Sequence, residues 1–232
     1  MLEVEGLSVS YGAVQALTDV SLSAAAGSTT AVLGANGAGK SSLLRAISGI
    51  APIGAGCIRL DGQDVTRLSP QARARHGLAH AMEGRRLFRQ MNVEENLRLA
   101  WSFGARSTPW AAALEDVYAR FPILAQKSRI ASGLLSGGQQ QMVILSCTTI
   151  RSPRVLLLDE PSLGLAPLIV RQIYAFIAGF ARDSGATVVI AEQMASIALQ
   201  VADRGCALRR GRVALTGTAT ELLRGGLAAT YL

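Results

Sequence analysis

The sequence of 232 residues predicts an α/β fold. Two apolar runs, 155–158 and 187–191, have the composition of fully buried strands, and the apolar-faced helix expected between them over 168–180 indicates a parallel sheet. The first thirty residues instead alternate between apolar and polar side chains, which predicts half-buried antiparallel strands joined by turns. From about residue 93 to 150 apolar residues recur at mainly helical spacing, so we expect a helical lobe inserted into the α/β core.

Composition limits the classes of protein that the chain can belong to. Half of the residues are hydrophobic, but no run approaches the roughly 18–20 uninterrupted apolar residues of a membrane span. The first five residues contain two acids and no basic region, so we expect no secretory signal and a soluble, cytoplasmic chain. The net charge is +7, but the arginines are scattered, with no basic tail or aromatic-interleaved stripe, so charge alone selects no partner.

The first strand of the predicted core leads into a glycine-rich loop. The apolar run 30–33 predicts a short buried strand, and the residues from Ser42 onward predict a helix. Between them lies a segment of the form G-x-x-x-x-G-K-[ST], in the strand–loop–helix context that this phosphate-binding motif requires. Backbone N–H groups of such a loop point inward to phosphate, and the helix N-terminus adds partial positive charge. The residues assigned to nucleotide binding here are Gly34, Asn36, Gly37, Ala38, Gly39, Lys40, Ser41 and Ser42.

Further elements follow the loop in order. Short strands are expected at 57–60 and 78–82, and the second leads into Glu83. The buried strand at 155–158 ends in Asp159 and Glu160. An aspartate at that place can hold Mg²⁺ through water, with the Ser41 hydroxyl completing the shell, while Lys40 reaches the β- and γ-phosphates. Glu160 can accept a proton from the attacking water as a general base.

A second glycine-led helix is predicted before that strand. Ser136 is a good N-cap, and the glycines that follow leave backbone N–H groups open to an anion. The residues of this segment assigned to nucleotide binding are Ser136, Gly137, Gly138 and Gln139. Together with the phosphate-binding loop upstream and the Asp-Glu strand downstream, this segment resembles the signature motif of ATP-binding cassette (ABC) ATPases. The resemblance runs from about residue 3 to the C-terminus.

The resemblance implies a fold and further site residues. The fold is α/β, a P-loop NTPase (RecA-like) core with an N-terminal antiparallel β-subdomain and an inserted α-helical subdomain. Residues 1–232 form one nucleotide-binding domain, with the core at about 1–88 and 151–232 and the helical subdomain at about 89–150. Tyr11 matches the aromatic residue that stacks on adenine, although an ordinary strand tyrosine is the alternative. Residues 162–165 match the loop that crosses the interface of a head-to-tail dimer.

Two positions depart from the general cassette pattern. Glu83 stands where most cassettes have a glutamine that senses Mg²⁺ and contacts the transmembrane partner, and an anion there can still coordinate the metal. Gln193 stands where most have a histidine that contacts the γ-phosphate, so a hydrogen-bond donor remains but a titratable group is lost. Both substitutions are usual in the smaller ATP-binding subunit of bacterial branched-chain amino acid importers, which residues 83–88, 93–97, 158–167 and 192–193 also resemble.

That subgroup implies ATP and Mg²⁺ as cofactors and several partners. They are a pair of integral membrane permeases, a second, non-identical cassette (a homodimer being possible), and indirectly an extracytoplasmic solute-binding protein, with no nucleic acid. The chain would lie peripherally on the cytoplasmic face of the bacterial inner membrane. The alternatives are an importer of urea or short amides, a non-transport ABC ATPase acting on nucleic acid or the ribosome, and a catalytically inactive cassette.

Overall fold

The computed structural model describes residues 1–104 and 108–225, and within them it has ten strands and nine α-helices. The strands are β1 (Leu2–Tyr11), β2 (Val14–Ala24), β3 (Thr29–Leu33), β4 (Ala55–Leu60), β5 (Gln63–Asp64), β6 (Leu78–Ala81), β7 (Val155–Asp159), β8 (Thr187–Glu192), β9 (Arg204–Arg209) and β10 (Arg212–Thr218). The helices are α1 (Lys40–Ile47), α2 (Pro70–Arg75), α3 (Val93–Ser102), α4 (Trp110–Arg120), α5 (Pro122–Gln126), α6 (Gly137–Thr149), α7 (Pro167–Ser184), α8 (Ala195–Ala198) and α9 (Ala219–Arg224).

Two sheets divide the strands. The smaller sheet has the order β2-β1-β4-β5 and is antiparallel, as the alternating pattern of the first thirty residues predicts. The larger sheet has the order β10-β9-β3-β8-β7-β6, and its pairs from β9 to β6 are parallel. β7 and β8 are buried on both faces and joined by α7, so the predicted crossover unit and the α/β class are confirmed.

Several boundaries differ from the sequence-based expectations. The helix expected over 168–180 is longer, because Pro167 provides its first residue and Gly185, with φ +68°, ends it in the left-handed conformation. Pro122 separates two helices, since α4 ends at Arg120 and α5 begins at Pro122. β9 and β10 were not predicted, although they form one edge of the larger sheet.

Helices α3 to α6 pack around their own apolar cluster. Its fully buried members include Val93 and Leu97 of α3, Leu124 of α5 and Val143 of α6.

No helix among the described residues is both long and apolar enough to cross a membrane. Trp101 and Trp110 contact each other edge to face with ring centroids 5.8 Å apart, and Phe103 is 69% exposed.

The C-terminal end of α1 is held by a buried arginine. Arg73 of α2 is 1% exposed, and its guanidinium donates to the carbonyls of Ala46 and Ile47 at 2.6 and 2.8 Å. It also donates to the carbonyls of Leu68 and Thr66 at 3.1 and 2.6 Å. The last carbonyls of a helix have no partner within the helix, so Arg73 supplies one and fixes the helix that the glycine-rich loop leads into.

We expect Arg73→Met to lower the free energy of unfolding by about 2–4 kcal/mol, because it leaves several buried carbonyls without donors. Urea denaturation of the full chain measures the loss. Arg75→Met, on the exposed side of the same helix, is the matched control and should change the value by less than about 0.5 kcal/mol. Equal effects of the two substitutions would show that the carbonyls of α1 do not depend on Arg73.

Candidate functional site

The glycine-rich loop joins β3 to α1, as its motif predicts. Gly37 and Gly39 have φ values of +80° and +110°, in the left-handed region that favours glycine. A Cβ atom on Gly39 would lie 2.6 Å from Leu17 Cδ2 and 3.0 Å from the Ala16 carbonyl oxygen, in a backbone conformation that other residues rarely adopt. The loop is tied to the β9–β10 turn, where the Gly211 N–H donates to the Ala38 carbonyl at 2.9 Å.

Lys40, the first residue of α1, lies inside the curve of the loop. Its side chain is 4% exposed and its Nζ donates to the carbonyls of Gly34 and Ala35 at 2.8 and 3.2 Å. The same Nζ forms an ion pair with Glu160 Oε1 at 3.1 Å. A buried ammonium needs an anionic partner, and Lys40 has one at the place where the motif puts phosphate.

Three oxygen-bearing side chains fit a Mg²⁺ ion. The Ser41 hydroxyl donates to Asp159 Oδ1 at 3.0 Å, and Glu83 lines the same cleft as Ser41. Burial raises the pKa of Asp159, and the nearby Glu83 and Glu160 carboxylates raise it further. Within residues 1–104 and 108–225 no cluster of three or more His, Cys, Asp or Glu side chains could hold a metal by itself. Carboxylate and hydroxyl oxygens are of the ligand type that Mg²⁺ takes, with phosphate and water as its usual further ligands.

Glu160 follows β7 in an unusual backbone conformation. Its φ of +46° is in the left-handed region, which is uncommon for residues other than glycine. Its N–H donates to the Ala191 carbonyl at 2.9 Å, so the strained residue is fixed to the neighbouring strand. The carboxylate is 10% exposed and points to Lys40, next to the predicted phosphate position.

The loop forms part of a cleft of about 610 Å³. Tyr11, at the end of β1, lines it and is 40% exposed, so the ring is accessible for stacking. Arg210 and Gly211 of the β9–β10 turn also line it, although the sequence reading assigned them no role. The only sequence signal near them is the adjacent pair of arginines at 209–210, and such a pair does not indicate where in the fold it lies.

The predicted signature segment lies elsewhere in the chain. Ser136 caps α6, its hydroxyl accepting from the Gln139 N–H at 3.4 Å while Gln139 accepts from the Ser136 N–H at 3.0 Å. Ser136 and Gln139 line a different cavity, beside α7. Neither residue lines the cleft that contains Lys40.

Arg85 connects the signature segment to the loop at 162–165. Its Nη2 donates to the Leu163 carbonyl at 3.1 Å and lies 3.4 Å from that of Gly164. A Cβ atom on Gly137 would lie 2.6 Å from Arg85 Nη1, so the guanidinium covers the start of α6. Sequence reasoning missed this contact, because its three segments are far apart along the chain.

Gln193 lies just beyond the end of β8, and its side chain is exposed. Its N–H donates to the buried carboxylate of Glu192 at 3.1 Å. Glu192, which the sequence reading assigned no role, is 2% exposed. Gln193 thus combines an accessible amide side chain with a backbone that is hydrogen-bonded to a buried carboxylate.

Comparisons with known proteins agree with the geometry. The ABC transporter family model matches residues 17–163. The chain is 39% identical over 223 residues to the high-affinity branched-chain amino acid transport ATP-binding protein BraG of Pseudomonas aeruginosa, covering 96% of this chain and 95% of that protein. It is 34% identical over 223 residues to the probable branched-chain amino acid transport ATP-binding protein LivF of Archaeoglobus fulgidus, covering 96% and 94%.

A solved structure shows the same fold. It is a dimeric ATP-binding cassette in a post-hydrolysis state, bound to ADP and phosphate, and it superposes with a TM-score of 0.86. The alignment covers 94% of this chain and 99% of that one at 20% identity. The expected cassette fold, with its antiparallel sheet, parallel core sheet and helical insertion, is confirmed.

The raised pKa of Asp159 predicts a specific pH dependence of stability. The folded chain holds this proton more tightly than the unfolded chain, so the stability from protonated Asp159 is complete below the ordinary pKa of 3.8 and is lost as pH rises through the raised value. We expect the unfolding free energy of the unaltered chain, minus that of Asp159→Asn, to fall as pH increases from 3.8 and then level off. Urea denaturation without nucleotide or metal measures it.

Asp64→Asn is the matched control, because the pKa of Asp64 is shifted in the opposite direction to that of Asp159. Hydrogen bonds from Thr66 lower the pKa of Asp64, so its contribution is present above the ordinary value of 3.8 and is lost as pH falls through the lowered value. If the two differences changed with pH in the same direction, the environment assigned to Asp159 would be wrong.

Proposed function

The chain belongs to the ABC transporter family, and on that premise we propose that it is the ATP-hydrolysing subunit of an importer for branched-chain amino acids. The observation that carries the activity is the convergence of Lys40, Ser41, Asp159 and Glu160 at one end of the parallel sheet. The cargo rests on the relatives named above, whose names specify branched-chain amino acid transport and whose lengths match this chain almost completely.

In this proposal the cleft binds ATP. The loop amides and the Lys40 ammonium hold the β- and γ-phosphates, and the Tyr11 ring stacks on adenine. The ligands of Mg²⁺ in this proposal are Ser41, Asp159 and Glu83. The metal ion would partly neutralise the negative charge of the phosphate oxygens. Buried Asp159 must lose its proton for this role, and a bound cation favours that loss.

Hydrolysis in this proposal depends on the two groups beside the γ-phosphate. Glu160 accepts the proton of the attacking water, which requires its carboxylate to leave Lys40 when phosphate arrives. The amide of Gln193 orients the γ-phosphate or the water by hydrogen bonding, without titrating between pH 5 and 8 as a histidine does. Lys40 stabilises the negative charge on the transferred group.

A second cassette completes the site. Ser136 and Gln139 line a cavity other than the cleft that contains Lys40. In this proposal they and the adjacent Gly137 and Gly138 bind the nucleotide of a partner that packs head to tail. The helix N-terminus and its open N–H groups suit a γ-phosphate. The partner is a second, non-identical cassette, and the same geometry also serves a homodimer.

The membrane partner binds next to Glu83. An apolar groove of about 240 Å³ lies between the loop after β6 and helices α3 and α6. Phe88 and Phe103 line it and are 60% and 69% exposed, which indicates a surface that a partner covers. In this proposal the helical subdomain, expected at about 89–150, grips a permease pair, and the chain lies on the cytoplasmic face of the membrane. A solute-binding protein delivers cargo from outside without touching the chain.

We expect the tagged chain, purified from detergent-solubilised membranes, to bring with it two permeases and a second cassette, identified by mass. Phe88→Ser should reduce their recovery, because it removes an exposed apolar anchor of the groove. Leu223→Ser, which alters an exposed leucine of α9, is the matched control and should not. Recovery with ribosomes or nucleic acid would contradict the importer, and uptake of urea but not leucine by the complex would contradict the cargo.

In the assembled complex, Glu160→Gln should lower ATP turnover by about 100-fold or more, because the amide cannot accept the proton of water. The partner's site is silenced in both samples by a substitution of its phosphate-loop lysine. Released phosphate measures turnover. Asp183→Asn, an exposed acid on α7, is the matched control, and unchanged turnover in Glu160→Gln would refute the assignment of the base.

A further inference from the structure

Glu192 is a buried acid for which the proposed function has no role. It ends β8, is 2% exposed, and lies between the segment that carries Glu160 and the position of Gln193. No ion pair of Glu192 with a basic side chain is found in the described part of the chain. Burying a carboxylate in this way is unfavourable unless hydrogen bonds compensate it, so its contacts define its purpose.

Four donors surround the two oxygens of Glu192. Oε1 accepts from the Ser162 N–H at 3.2 Å, the Ser162 hydroxyl at 2.6 Å and the Tyr174 hydroxyl at 2.7 Å. Oε2 accepts from the Gln193 N–H at 3.1 Å. Ser162 and Tyr174 are themselves 6% and 4% exposed, so the network is closed to water. An ionised carboxylate, which only accepts, fits such a set of donors.

The two ends of this network lead to the two groups proposed to act at the γ-phosphate. Ser162 is two residues after Glu160, and the Leu163 N–H donates to the Glu160 carbonyl at 3.2 Å, which closes the turn that holds Glu160 at φ +46°. At the other end the bond to the Gln193 N–H fixes that residue's backbone. Burial and the neighbouring carboxylate raise the pKa of Tyr174, so its hydroxyl remains a donor.

We propose that Glu192 is a positioning residue of the hydrolytic site. Its buried carboxylate fixes the turn that carries Glu160 through the bonds to Ser162, and it fixes the backbone of Gln193 through the bond to that residue's N–H. The inference rests on the proposed function and explains how Gln193 is held in place. Because the side chain of Gln193 is exposed, its orientation is set by the backbone that Glu192 holds. A shift of the order of 1 Å at either end costs about 100-fold in rate when the reacting groups must align.

Glu192→Gln tests the proposal with almost no change of volume. If the amide oxygen keeps the three donors at Oε1, the NH₂ group faces the Gln193 N–H, and two donors cannot bond to each other. We expect amide hydrogen exchange of Gln193 and of residues 160–163 to quicken by about tenfold in the full chain without nucleotide. We also expect kcat for ATP to fall about 10- to 100-fold while KM stays within about threefold.

Two tyrosine variants separate positioning from general loss of packing. Tyr174→Phe removes one of three donors at Oε1 and leaves the bond to Gln193, so its effect on kcat should be much smaller than that of Glu192→Gln. Tyr118→Phe removes a hydroxyl in the helical lobe and should change neither exchange nor kcat. Should Glu192→Gln not fold, Ser162→Ala replaces it, with faster exchange at 160–163 and a kcat lowered about fivefold.

Each outcome decides the proposal. Unchanged exchange at Gln193, or faster exchange with unchanged kcat, would overturn it, as would equal losses in Glu192→Gln and Tyr118→Phe. If the complex of the unaltered chain with its partner cassette and permeases bound ATP but never hydrolysed it, the proposed function would be wrong, and the exchange data would still show whether Glu192 holds the two segments.

Discussion

A positive charge enclosed by the protein is the constraint on which the site depends. The Lys40 ammonium is almost fully buried, and its stability requires oxygen partners within hydrogen-bond distance. The loop supplies two carbonyls, from Gly34 and Ala35, and its curved backbone includes Gly39 at a φ of +110°. Glu160 supplies the compensating negative charge. The Lys40 ammonium therefore connects the loop, helix α1 and the residue that follows β7.

The ion pair between Lys40 and Glu160 also controls when Glu160 can act as a base. On the proposed function, phosphate oxygens and the Glu160 carboxylate need the same ammonium, so nucleotide binding releases the carboxylate next to the bond to be hydrolysed. The turn after β7 is held from behind by the buried Glu192 network, so the carboxylate moves while its backbone remains in place. A base that pairs with Lys40 until substrate arrives is at that stage less available to activate water.

The sequence predicted the parts of this arrangement that are local. The phosphate loop, the cap at Ser136 and the crossover unit of β7, α7 and β8 each have a pattern within a few residues, and each is present. Side-chain contacts between distant segments were not predictable, because no local pattern encodes them. Arg85 against Leu163 and Glu192 against Tyr174 are such contacts. The β9–β10 edge was missed as well, since its exposed outer strand lacks regular alternation.

The dissociation constant of ATP for Glu160→Gln, measured by calorimetry beside that of the unaltered chain, tests the central claim most directly. If Glu160 and phosphate compete for Lys40, removal of the carboxylate charge leaves the ammonium undercompensated and ATP binds more tightly, by about tenfold for a partly screened charge. Measurements without Mg²⁺ exclude an effect through the metal ligands. Equal or weaker binding by Glu160→Gln would contradict the account, because it would show that the ion pair does not oppose phosphate.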